Sequence, residues 1–344
     1  MCKARPQSQD MLQKFILFIL GSLTVYASSA QSTAAAELLF SSEGGYYNTS
    51  FAVRLYHPDP QATIYYTLDG TSPITNGTRY QQPRHIDRSS CLRAVVQQNN
   101  QFGKIYAHTY LLNEPSTQLP TLAISIDPHL LFDSEQGLFM IGSQSDTGST
   151  YLSGANFWSR REVPAHLEFY ESDGSCVFNS ALGLRLFGGM SRLFPQKSMA
   201  LVTDKAYGAS KIKHPMFGKE GPKSVDYLVL RNAGSDFGKA HARDAIATQQ
   251  TRDWEVDVQA YRPAQVYING QYWGLYNLRE KINRHFLASH HDVDKDSLDL
   301  MEHYMTLKRG SRRHYQQLIR YIEQHDLRQA NHYQQVAAWM DIES

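Results

Sequence analysis

Short strand-like apolar runs recur between Phe51 and Glu280, many of them closed by turn signals such as Asp69-Gly70, Asp173-Gly174 and Asn269-Gly270. Such a pattern points to β strands in this stretch, interrupted by Ala242–Arg252, which reads as a short helix after a loop. The most informative instance is Gly183–Leu201, GLRLFGGMSRLFPQKSMAL. Leu182, Leu184 and Leu186 alternate with Gly183, Arg185 and Phe187, the period of a half-buried strand. Gly188-Gly189 supplies the backbone freedom of a tight turn, where main-chain N–H groups can face an anion. Lys197 then opens a second apolar run, Met199-Ala200-Leu201-Val202. Two readings fit this strand–turn–strand pattern. One is a phosphate cradle of backbone donors with one mobile point charge; the other is an ordinary hairpin with a solvated lysine.

Residues 37–112 read as a small all-β sandwich. Phe51–Leu55, Thr63–Thr67, Cys91–Val96 and Ile105–Tyr110 are strand-like and are separated by the turn signals Asp69-Gly70, Ser72-Pro73 and Asn76-Gly77. Glu114–Pro120 is a polar, proline-flanked hinge, and Leu122–Ile126 opens a new strand. Pro164–Tyr170 alternates again, and Asp173-Gly174 turns it back towards Cys176. Gln265–Ile268, Asn269-Gly270 and Tyr272–Leu278 form a hairpin, because Asn-Gly favours the two-residue type I′ turn; it closes at Arg279-Glu280. Beyond Glu280 the spacing turns helical. Ser311 is the expected cap of a helix carrying Tyr315, Leu318, Ile319 and Ile322 on one face, and a second helix from near His332 is expected to be unfinished at Ser344.

The N-terminus adds a compartment. Lys3, Arg5 and Lys14 precede the apolar stretch Phe15–Ala27, and Ser28-Ser29-Ala30 stands before Gln31. A basic start, a short apolar core and small residues before the cut describe a secretory signal over residues 1–30. The expectation is a secreted protein, extracellular or periplasmic, with no membrane span after cleavage. Lys and Arg number 34 against 33 Asp and Glu, so bulk charge argues neither for nucleic acid nor for an anionic membrane. Cys91 and Cys176 would remain after cleavage; an oxidising compartment allows a disulfide, but two buried free thiols are the expectation.

Two resemblances follow from the motifs. Ile64–Pro73, YYTLDG flanked by strands, with the later Leu92-Arg-Ala-Val-Val96, is similar to the chitobiase and β-hexosaminidase C-terminal module, here over residues 35–114. That resemblance implies a non-catalytic, immunoglobulin-like appendage and makes Asp69 a turn-former rather than an acid. Residues 119–344 resemble the CotH kinase family. The resemblance rests on Arg185–Arg192 with Pro195-Gln-Lys197, Leu230–Asp236, Arg243-Asp244, Gln259–Pro263 and Ile268–Glu280, in that order. It implies an α+β protein-kinase-like N-terminal lobe with the start of a helical lobe, binding ATP and Mg²⁺. By the same resemblance Lys197 contacts the ATP phosphates, and Gly188, Gly189, Ser191 and Arg192 form the adjoining loop. Glu280 either positions Lys197 or lines the adenine side; a structural ion pair with Arg279 or Lys281 is the competing reading. The family's catalytic and Mg²⁺-binding carboxylates are expected downstream of this segment, so no catalytic residue is assigned within the chain and the domain reads as incomplete.

Other patterns are weaker. Asp236-Phe237-Gly238 spells a kinase metal motif, yet it precedes any catalytic loop and reads as a loop entering a helix. Asp292, Asp294 and Asp296 alternate as in a calcium loop, but Ser297 occupies the glycine position, so they read as a solvated turn. His290-His291 lacks the i, i+4 spacing of a metal pair. The leading function is ATP-dependent phosphoryl transfer to hydroxyls of a secreted or surface protein. The alternative is a non-catalytic secreted or cell-surface binding protein, contacting a glycan or protein through the β-module. A glycosidase is weakest, because no carboxylate pair falls at the needed spacing.

Overall fold

A computed structural model describes residues 37–342 apart from 116, 219, 220, 255 and 304. The signal segment expected over 1–30 therefore lies outside the described residues.

Turn dipeptides cut the first module into short strands: β1 (Leu39–Phe40), β2 (Gly45–Tyr47), β3 (Phe51–Val53), β4 (Leu55–Tyr56), β5 (Thr63–Thr67), β6 (Thr78–Arg79), β7 (Arg84–Ile86), β8 (Ser90–Gln98) and β9 (Gln101–Leu112). A five-stranded sheet runs in the order β2-β9-β8-β5-β6, accompanied by the pairs β3-β7 and β1-β4. Val53, Ile86, Leu92, Ala94 and Tyr110 fill its core. Asp69 accepts from the Thr71 backbone N–H and hydroxyl, the local bonding of a turn-former.

The second domain winds seven strands into a closed barrel: β10 (Thr121–Ser125), β11 (Val163–Tyr170), β12 (Cys176–Leu186), β13 (Met199–Val202), β14 (Tyr227–Arg231), β15 (Tyr261–Ile268) and β16 (Gln271–Glu280). Leu122, Ile124, Leu167, Phe169, Leu184, Leu201, Leu230 and Val266 fill the lumen. At the β15–β16 turn Asn269 and Gly270 both have positive φ, as a type I′ hairpin demands. The helices are short: α1 (Pro128–Phe132), α2 (Arg243–Gln250), α3 (Arg284–His290), α4 (Arg313–Gln324) and α5 (Ala330–Ala337), with β17 (Leu300–Glu302) and β18 (Thr306–Arg309) between α3 and α4. Arg312, not Ser311, is the cap residue of α4, although the Ser311 hydroxyl accepts from the Arg313 N–H.

Three expectations change. The described fold is mostly β, where a mixed α+β lobe was expected. Closure of the barrel comes from parallel pairing of β10 with β15, Thr121↔Gln265 to Ile124↔Ile268. Every residue of β10 is buried because its second face lies under the first module, with Thr121 bonded to Tyr46 and Ser125 to Cys91. The glycine turn is not tight: residues 187–198 join β12 to β13 through a 3-10 turn, Met190–Leu193. Cys176 is exposed at the start of β12, whereas Cys91 is buried; both are free thiols.

The two domains are cross-linked by buried polar groups. Glu168 on β11 is 1% exposed and accepts from the Thr109 N–H at 2.6 Å and the Tyr170 hydroxyl at 2.9 Å. His108 Nδ1 lies 3.1 Å from the same carboxylate. The Cys91 thiol donates to Ser125, the Ser72 N–H to Asp127 and the Tyr267 hydroxyl to Glu114.

Candidate functional site: a lysine loop at the barrel mouth

Phe187 N–H bonds to Ser198 O, and there the β12–β13 ladder stops. Gly188 turns the chain with φ +88°, and a Cβ on it would stand 2.5 Å from Ser191 Oγ, so glycine is required. Nothing lies within 4 Å of a Cβ at Gly189. The 3-10 turn that follows is held by Arg192. Its guanidinium donates to four carbonyls: Gly188 O at 2.8 Å, Phe157 O at 3.0 Å, Ser159 O at 3.1 Å and Leu186 O at 3.2 Å. Arg192 thus ties the loop to a neighbouring 3-10 turn, Asn156–Trp158.

Lys197 shares the inward parity of Met199 and Leu201 and sits at one mouth of the barrel, 4% exposed. Its ammonium donates to Arg192 O at 2.7 Å and Phe194 O at 3.0 Å and stands 4.5 Å from the centre of the Phe157 ring. Among the described residues no carboxylate pairs with it, and burial pushes its pKa down to about 8. An ammonium has three N–H donors, so one remains beyond the two carbonyl bonds.

Asn232 is the polar hub behind the loop, and it is fully buried. Its amide donates to Ser191 O and Gln196 O, while its carbonyl oxygen accepts from the Ser198 hydroxyl and the Gly234 N–H. Next to it Asp236 accepts from the Arg243 N–H at the start of α2, and Phe237 stacks on Phe194 with centroids 4.8 Å apart. The Asp-Phe-Gly sequence is therefore a loop entering a helix, as read.

Glu280 is not brought to Lys197. It pairs across β14 with Leu228, which pairs with Leu201. Four residues separate Leu201 from Lys197, about 13 Å of strand. Glu280 lies at the opposite end of the barrel, where its carboxylate accepts from the Ala260 N–H at 2.8 Å and faces His290 at 3.7 Å. Burial raises its pKa above the ordinary carboxylate value. Its ion-pair partner is thus His290, not the flanking Arg279 or Lys281.

A second cationic feature escaped the sequence reading. On the outer face of the barrel a ladder row runs Arg185–Ala200–Val229–Arg279. Arg185 donates twice to the Tyr227 hydroxyl, at 2.9 and 2.7 Å. Lys281 stands over the rings of Phe187 and Tyr227, 4.8 and 5.1 Å from their centres. Burial, then the charges of Arg185 and Lys308, lowers the pKa of Lys281. An adjoining cavity of about 510 Å³ brings Lys211, Lys223 and Lys295 to the same place, with Asp226 and Glu280. Farther along the row, α2 lays Asp244 between Arg231 at 3.3 Å and the buried Arg279 at 3.6 Å. Position 281 follows Glu280 directly, but nothing in a sequence shows which cations lack a carboxylate.

The aspartates of 292–296 serve a turn. Asp294 accepts from the Asp296 N–H and the Ser297 hydroxyl, and Asp296 pairs with Arg284 and Arg309. Among the described residues no three His, Cys, Asp or Glu side chains gather as a metal site.

Fold and site together define a multidomain protein: a β-rich module docked on a barrel domain that carries a buried-lysine loop. Residues 184–344 match the family model described as CotH kinase protein, and residues 42–103 match that of the chitobiase/beta-hexosaminidase C-terminal domain. The chain thus has an N-terminal β-rich module followed by a CotH domain. The CotH match opens inside β12, so β10 and β11 stand upstream of it in the same barrel. No curated protein matches the chain. Among the described residues no helix is long and apolar enough to cross a membrane.

Proposed function

We propose that the barrel domain binds ATP for CotH-type phosphoryl transfer, moving the γ-phosphoryl group to a hydroxyl of a secreted or surface protein. The observation that carries this reading is Lys197: a buried ammonium with no carboxylate partner among the described residues, beside a glycine-opened loop, within the residues that match the CotH kinase model. A cation that has lost most of its water gains more from a phosphate than a solvated lysine does. In the proposed complex the remaining N–H of Lys197 meets a phosphate oxygen. Gly188, Gly189 and Ser191 line the approach, and Arg192 holds the loop rigid through its carbonyl bonds. Arg185 and Lys281 offer further positive charge on the outer face, and Glu280 belongs to that end rather than to Lys197.

Mg²⁺ would neutralise phosphate charge when bound. The described residues do not assemble a site that fits it, so no step is assigned to the ion or to a catalytic base. Calorimetry with ATP·Mg²⁺ tests the reading: saturable binding to the chain that is lost in Lys197→Met, with the thermal transition retained, supports it. Absence of heat in the wild type overturns it and favours the second reading, a secreted binding protein on a kinase-like scaffold. The commitment of both Arg192 and Lys197 to main-chain carbonyls is what favours that second reading.

A further inference from the structure

The first module and the barrel enclose a cleft of about 860 Å³ that none of the loop residues 188–197 lines, a volume typical of small-molecule sites, which favour domain junctions. Its walls are fixed in advance by the Tyr267–Glu114, Ser72–Asp127 and Cys91–Ser125 bonds. A β-bulge shapes the barrel side: between Val266 and Tyr267 the register shifts, so that Val266 pairs with Gly274 and Tyr267 with Tyr272. The extra residue, Trp273, is thereby turned away from Tyr272. Trp273 packs against Phe132 and Phe139, centroids 5.5 and 5.8 Å away. Tyr272 meets Tyr267 edge-on and is 54% exposed. Two aromatic surfaces therefore border one cleft.

The module supplies the polar side. Asp69, Asp87 and Glu114 line the cleft against a single arginine, Arg88, with Asn113 and Gln271 between them. Among the described residues the side chains of Asp87, Asn113 and Gln271 make no hydrogen bond within the chain. Aromatic faces with carboxylate and amide groups around them suit a pyranose ring, which presents apolar C–H faces and a girdle of hydroxyls. A peptide is less suited, because the bordering strands β8, β9, β15 and β16 are each paired on both sides and offer no edge for strand addition. Three carboxylates against one guanidinium disfavour an anionic sugar.

We propose that this interdomain cleft binds a short neutral or amino-sugar oligosaccharide, with Tyr272 and Trp273 stacking on the rings and Asp87 and Asn113 taking the hydroxyls. The test is titration calorimetry of the full chain with cellohexaose, chitohexaose, a glucosamine hexamer and a heparin hexasaccharide. Tyr272→Ala and Asp87→Asn are titrated alongside, their folding checked by thermal transition. Saturable binding of a neutral or amino-sugar hexamer, weakened about tenfold or more by Tyr272→Ala and measurably by Asp87→Asn, is expected. Lack of binding by all four at millimolar concentration, preference for heparin, or an affinity unchanged in Tyr272→Ala overturns the proposal. ATP binding measured on the same variants should be unaltered, which separates failure of this site from failure of the kinase reading.

Discussion

Replacing Lys197 by methionine keeps the volume of the side chain and removes its charge. Burial lowers the lysine from 10.5 to about 8; at roughly 1.4 kcal/mol per unit, that is about 3 kcal/mol held against the folded state at neutral pH. The sign follows from linkage. Between pH 8 and 10.5 the unfolded chain binds more protons than the native one, so wild-type stability rises with pH through that window. Below pH 8 the penalty is fully present; above 10.5 it is gone. The methionine variant lacks this proton, and all other titrations cancel in the difference. Between about pH 7 and 9.5 the wild type should therefore gain about 2 kcal/mol on the variant, roughly 4–8 °C in relative Tm for a domain of this size. Thermal unfolding of both proteins at the two pH values reads it directly. A difference that stays constant, or moves in the variant's favour, would refute a buried, charged Lys197.

Other changes have separate readouts. Arg192→Ala strips four carbonyls of their donor and should cost about 2–3 kcal/mol in urea unfolding; a loss under about 0.5 kcal/mol would show that the loop holds itself. Asn232→Ala removes the hub shared by three loop groups and the Gly234 N–H, and an expected loss of about 3 kcal/mol should come with faster amide exchange across 189–198. Glu168→Ala should raise exchange at Thr109, whose N–H it accepts, before the barrel interior exchanges; simultaneous exchange of both would contradict a local interdomain latch. Gly270→Ala would place a Cβ 2.6 Å from the Ser90 backbone at a residue with φ +81°, so a drop in Tm of several degrees is expected, with refolded yield as a second measure.

Local signals carried furthest in the sequence. Asn269-Gly270 declared its turn because only a narrow set of residues accepts positive φ at both positions, and Thr63–Thr67 emerged as a strand with the same bounds. Closure of the barrel was hidden, since the partner of Thr121 on β10 lies 144 residues away at Gln265 and the pattern of one strand does not name a distant partner. The site was legible as residue types but not as bonds. Arg192 and Lys197 direct their donors to main-chain carbonyls, which every residue possesses and no side-chain pattern announces. The separation of Glu280 from Lys197 depends on ladder register across β13, β14 and β16, a property of three strands at once.

The parallel pairing of β10 with β15 also sets an order of assembly. During synthesis β10 emerges long before β15, so one flank of the future barrel waits without its ladder partner while β11 to β14 form as successive antiparallel neighbours. Long-range pairing of this kind is slow, because chain entropy is lost before the contacts that compensate for it can form. The first module is already complete by then and lies against the outer face of β10 through Cys91–Ser125 and Tyr46–Thr121. It can act as a template on which the open sheet is held until β15 arrives, a nascent-chain role that a truncated barrel expressed without residues 37–112 would have to do without.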